Sequence, residues 1–131
     1  MTEKAELAKE LFSQGFNCAQ AVFCAFAEDF GISRTQALKL SASFGGGVGR
    51  MGDVCGVVSG MVMVLGLFEG NTTPEGKLPY YEKVQGLIAS FSEKHGGYVC
   101  RDLLATGDKG RCADFVVSGA EILETYLKQQ A

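Results

Sequence analysis

The feature that most constrains this chain is a helical spacing of apolar residues, interrupted repeatedly by glycine. Ala5, Ala8, Leu11 and Phe12 mark one face and stop at Gly15, and a run from Cys18 to about Phe30, with Val22, Phe23 and Phe26, stops at Gly31. Apolar residues three and four apart fall on one stripe of a helix, and a glycine just past the last of them is where a helix ends. Ser33 followed by Gln36 is a capping-box signature and opens a helix through Leu38 and Leu40 toward Phe44. Between Gly45 and Gly52 five of eight residues are glycine, each costing a helix about 1 kcal/mol relative to alanine, so this segment is a loop. Cys55 to about Phe68 reads as a buried helix. Pro79 suits the first turn of the next, whose face is Val84, Leu87, Ile88 and Phe91, and Gly96-Gly97 breaks it. A short helix over Val99 to about Ala105, a loop over 106–111 and a last helix from Cys112 to about Gln129 complete the pattern. The expectation is an all-α bundle of six or seven helices, one domain over 1–131.

Size and charge narrow the function classes. A chain of 131 residues, 47% hydrophobic, buries one core without staples. Twelve basic against fifteen acidic residues give no footprint for a phosphate backbone, so nucleic acid is not an expected partner. The charged N-terminus lacks the apolar core of a signal peptide, which points to a cytoplasmic protein. Val54 to Phe68 has 15 residues without a charge, short of the roughly 18 to 20 needed to span a bilayer, so no membrane insertion is expected. Its Gly52, Gly56 and Gly60 form a small-residue ladder that lets another helix approach closely; a homo-oligomer stays open.

Five cysteines in a reducing compartment indicate metal binding, redox chemistry or core filling rather than a disulfide framework. Four share one setting: Cys18, Cys55, Cys100 and Cys112 each follow a glycine-containing break and begin an apolar helical run. In a first helical turn the free N–H groups and the helix dipole favour a thiolate, lowering its pKa from about 8.5. Arg101 and Arg111 adjoin two of the four. The competing reading is four inert thiols packed as small hydrophobes, because cysteine is often fully buried and no spacing here is C-x-x-C or a zinc-finger pattern. Cys24, mid-helix among Phe23, Ala25 and Phe26, reads as core.

Three weaker signals are read structurally. Gly47 to Gly52 matches G-x-G-x-x-G with Glu69 about 20 residues beyond, the dinucleotide fingerprint, but no strand precedes it: the alternation Leu40, Ala42, Phe44 is too short to overrule the capping box. His95, the single histidine, reads as a solvated cationic ring at a helix C-terminus, with a metal or acid/base role as the alternative. Asp53 and Asp102 flank cysteines and read as capping or solvated groups that could also orient a partner.

These residues resemble the C_GCAxxG_C_C family of redox-active proteins. Cys55-Gly56-Val57-Val58-Ser59-Gly60 is similar to the family's C-G-A-x-x-G element, preceded by the glycine-rich approach through Arg50 and Gly52. Cys18 matches the first family cysteine, and Cys100 and Cys112 match the last two. Val57 stands where the motif has alanine, enlarging a side chain beside the site. The resemblance implies a redox role for the four cysteines, with Arg50, Gly52, Gly56 and Gly60 in support, and leaves three functions open. The four thiols could ligate an iron–sulfur cluster or another thiolate-bound metal for electron transfer or sensing, or exchange disulfides with a redox partner protein or a small thiol or oxidant. The chain could instead be a helical accessory module, associated with a transporter, whose cysteines only pack.

Overall fold

The computed structural model describes residues 1–105, 107 and 110–130. Seven α-helices run in order among them: α1 Glu3–Ser13, α2 Cys18–Ala27, α3 Arg34–Ser41, α4 Gly56–Glu69, α5 Lys77–His95, α6 Cys100–Leu103 and α7 Arg111–Gln130. Short 3-10 turns follow α2 and α3 and precede α5. The described residues hold no strand, only an isolated bridge between Val54 and Val99. The all-α expectation is met, and the helices begin and end within a residue or two of where periodicity and glycine breaks set them, apart from short 3-10 extensions. The loop expected over 106–111 lies partly outside the described residues.

Helix α2 is the centre of the bundle, with eight of its ten residues buried and α1, α3 and α4 packed around it. It is entered through a full capping box: Asn17 Oδ1 accepts the Gln20 N–H at 2.8 Å, and the Gln20 side chain accepts the Asn17 N–H at 3.1 Å. This corrects the reading at α3, where Ser33 accepts the Gln36 N–H at 3.2 Å and only that half of the box is made. Two groups of a helix start are satisfied reciprocally only where the glutamine turns back to its own cap.

Glycine lets the helices close on one another. A Cβ at Gly60 would lie 3.0 Å from Val22 Cβ and 3.1 Å from the Ala19 carbonyl, and one at Gly56 would overlap Cys18 Sγ. Both face α2, so this half of the expected ladder does bring in another helix. Gly52 does not belong to it: it precedes α4, at φ +80°, and faces Arg101. Helix α7 covers α1, α2 and α4, and a Cβ at Gly119 would overlap Val57 Cγ1, so Gly119 makes room for the valine that stands in the alanine position. At the other end of the bundle, Glu69 accepts a short hydrogen bond from the Tyr126 hydroxyl and pairs with Lys83 at 3.1 Å, joining α4, α5 and α7.

The glycine-rich loop is ordered in an unusual way. Gly46, Gly47, Val48, Gly49 and Arg50 have φ of 65°, 76°, 63°, 56° and 64°, five consecutive residues in the left-handed region. Each such residue with a side chain costs about 1–2 kcal/mol, so only a glycine-rich stretch can make this turn. It is closed by its own hydrogen bonds, from the Gly49 N–H to the Ser43 carbonyl at 2.7 Å and from the Asp53 N–H to the Gly47 carbonyl at 3.0 Å. With no strand before or after it among the described residues, G-x-G-x-x-G here shapes a turn outside the strand–turn–helix setting of the dinucleotide fingerprint.

Candidate functional site

The four cysteines singled out by their local setting come from distant parts of the chain. Cys18 is the first residue of α2, Cys55 the N-cap of α4, Cys100 the first residue of α6 and Cys112 the second of α7. Two short extended segments hold the middle pair together. The Cys55 N–H donates to the Tyr98 carbonyl at 2.8 Å, and the Cys100 N–H donates to the Asp53 carbonyl at 2.6 Å. Arg101 secures the join, donating from Nε to the Gly52 carbonyl at 3.2 Å and pairing with the Asp53 carboxylate at 2.9 Å. Asp53 is therefore an anchor for the start of α6, while Asp102 is exposed. Cys18 reaches the same region because α4 begins with Gly56, against which Cys18 Sγ packs.

All four side chains line one cavity of about 580 Å³. Its walls also include Asn17, Arg50 and the apolar Phe12, Val57, Leu103, Leu104 and Phe115. Of the four supporting residues, Arg50 and Gly56 line it, whereas Gly52 and Gly60 act behind it, in the loop and at the α2–α4 contact. Cys24 does not line it: it is buried in α2 on the side facing Ser41 of α3, whose hydroxyl donates to the Ala37 carbonyl at 2.7 Å. No cysteine is in a disulfide, and among the described residues no three His, Cys, Asp or Glu side chains are close enough to hold a metal ion between them.

The electrostatics correct the expectation of low thiol pKa values. Burial pushes Cys55 up to about 12, the neighbouring Cys18 adds to this, and the N–H groups of Val57 and Val58 pull the other way without prevailing. Burial and Cys18 also raise Cys100. A helix terminus is worth at most about 2 kcal/mol to a charge, whereas removing a thiolate from water costs more. Cys55 and Cys100 are thus protonated thiols at neutral pH unless a cation joins them.

His95 also departs from the sequence reading. It ends α5, but its ring packs on Phe91 and Phe115, with centroids at 4.6 and 5.0 Å, and Nε2 lies 2.7 Å from Ser118 Oγ. Burial first, then Lys94 and Arg111, hold its pKa below the usual 6.5. The ring is a neutral packing and hydrogen-bonding group behind Phe115, not a solvated cation. Sequence reasoning missed Phe115 and Asn17 as cavity walls. The asparagine was findable, since Asn17-x-x-Gln20 is a cap signature immediately before a cysteine.

Comparison with known proteins agrees with the cysteine pattern. A family model described as "Putative redox-active protein (C_GCAxxG_C_C)" matches residues 16–126. A protein of Archaeoglobus fulgidus, described as "Uncharacterized protein", is 28% identical over 98% of this chain and 98% of its own length. No solved structure matches the chain. With the family pattern matched over most of its length, the chain belongs to the C_GCAxxG_C_C family of redox-active proteins.

Proposed function

We propose that this protein is an electron-transfer or redox-sensing protein in which Cys18, Cys55, Cys100 and Cys112 ligate an iron–sulfur cluster. The observation that carries the reading is that four thiols from four separate helix starts line one cavity. Four soft sulfur donors suit iron–sulfur chemistry. The raised pKa values favour metal over free-thiol chemistry, because exchange needs a thiolate, whereas a bound cation deprotonates its thiol ligand outright. The starts of α2, α4 and α7, together with Arg50, surround the thiolates with positive potential and offset the net negative charge of a loaded site.

When bound, the cluster supplies one-electron chemistry. The chain's own residues fix the sulfurs: the Asn17–Gln20 box holds Cys18, the Gly52–Cys55 and Tyr98–Arg101 pairing holds Cys55 and Cys100, and Phe12, Leu103 and Phe115 restrict water. A redox partner protein, or a small thiol or oxidant, is the expected electron source or sink. No helix among the described residues is long and apolar enough to cross a membrane.

Anaerobic purification followed by iron and acid-labile sulfide analysis, with a visible absorption spectrum, tests this directly. Iron and sulfide in equal amounts, lost in Cys55→Ala, are expected. Metal-free protein with a thiol count that falls on mild oxidation would instead support a disulfide among Cys18, Cys55 and Cys100, a second reading favoured by the mutual influence of these three thiols. Neither result would leave the accessory-module reading.

A further inference from the structure

We propose that the cysteine cavity also binds a small organic anion, with its charged head on Arg50 and its apolar body against the wall formed by Phe12, Val57, Leu103, Leu104 and Phe115. The cavity, about 580 Å³, falls within the roughly 300–1,000 Å³ of small-molecule sites. Its lining is apolar apart from the thiols, Asn17 and Arg50. Asn17 is committed: its carbonyl oxygen caps α2, and its amide donates to the Ala42 carbonyl at 3.0 Å. Arg50 is the only charged side chain lining the cavity among the described residues, and its guanidinium makes no ion pair or hydrogen bond there.

Three further observations give that cation a direction. No carboxylate among the described residues lines the cavity beside the guanidinium. The first turns of α2, α4 and α7 open on the same space, adding to its preference for negative charge. Arg50 is also held at φ 64° at the end of the left-handed turn, and its stem lies over Gly46, where a Cβ would come within 2.8 Å of Arg50 Cγ. A side chain kept in a costly backbone conformation at a cavity edge is the pattern of a ligand-holding residue. A guanidinium pairs with a carboxylate through two parallel hydrogen bonds, and the apolar wall selects a ligand that carries a hydrocarbon body behind that head.

The inference does not depend on iron, so its test separates from that of the cluster. The purified protein, reduced and metal-free, is titrated calorimetrically with hexanoate, the isosteric hexanamide and inorganic phosphate. Hexanoate should bind at least about tenfold more tightly than hexanamide, the difference expected of a charge-assisted pair, and more tightly than phosphate. Arg50→Gln should reduce hexanoate to the level of hexanamide, and Arg50→Lys should restore part of the difference, with both variants keeping the helical circular dichroism of the parent. Absence of binding, equal binding of acid and amide, hexanoate affinity unchanged in Arg50→Gln, or phosphate matching hexanoate would each overturn the proposal.

Discussion

Gly56→Ala probes the contact through which α4 and α2 bring Cys18 and Cys55 to one cavity. The added Cβ would overlap Cys18 Sγ and lie 3.0 Å from the Phe44 carbonyl oxygen and 3.2 Å from the Ala19 nitrogen. The sulfur can rotate away, but the two backbone atoms belong to a turn and a capped helix and cannot. Overpacking of this kind costs about 1–3 kcal/mol. Alanine returns at most about 1 kcal/mol of helix propensity, so a net loss of about 1–2 kcal/mol is expected. Gly86→Ala is the control: it lies mid-helix in α5 with nothing within 4 Å of its Cβ, so it should gain up to about 1 kcal/mol. Urea unfolding followed by circular dichroism reads both. With a slope of about 2 kcal/mol per molar, Gly56→Ala should lower the midpoint by about 0.5–1 M while Gly86→Ala raises it. Because Cys18 Sγ must move, iron retention should fall in Gly56→Ala even where the protein stays folded. A midpoint raised equally in both variants would refute close packing at Gly56.

Further outcomes follow from the thiols, the histidine and the strained turn. The folded-state pKa of Cys55, about 12, lies above its ordinary 9.0, so the metal-free fold should keep its stability below pH 9 and lose it as pH rises toward 12; Cys55→Ala should flatten that part of the curve. His95 is shifted the other way: its neutral form is favoured on folding, stability should be full above pH 6.5 and fall below it, and His95→Gln should remove that acid-side slope in unfolding experiments. Cys24→Ala should cost on the order of 1 kcal/mol and leave iron content unchanged, whereas Cys55→Ala should abolish it; equal losses in metal analysis would mean that the cysteines are divided wrongly. Val48→Gly should be neutral to stabilising by about 1 kcal/mol in thermal unfolding, because relief of the left-handed valine exceeds the entropy glycine adds to the unfolded chain.

Much of this molecule is written in local pattern. Periodic apolar residues and the glycines at 15, 31 and 96 set the helices because one-turn geometry depends only on near neighbours. The same locality puts Cys18, Cys55, Cys100 and Cys112 at helix starts and Cys24 inside a helix. Composition alone also excluded a long apolar span and a basic face. Three things needed the tertiary structure. The meeting of the four cysteines depends on Gly56 and Gly60 admitting α2, on Gly119 admitting Val57, and on the backbone pairing of Gly52–Cys55 with Tyr98–Arg101, contacts between segments far apart in sequence. The charge state of the thiols and of His95 depends on how much water the assembled bundle removes, and at Cys55 that burial outweighs the local pull of the helix start. The role of Arg50 depends on the cavity, because an arginine in a glycine-rich loop has no meaning until the wall it faces is built, and only the packed helices build it.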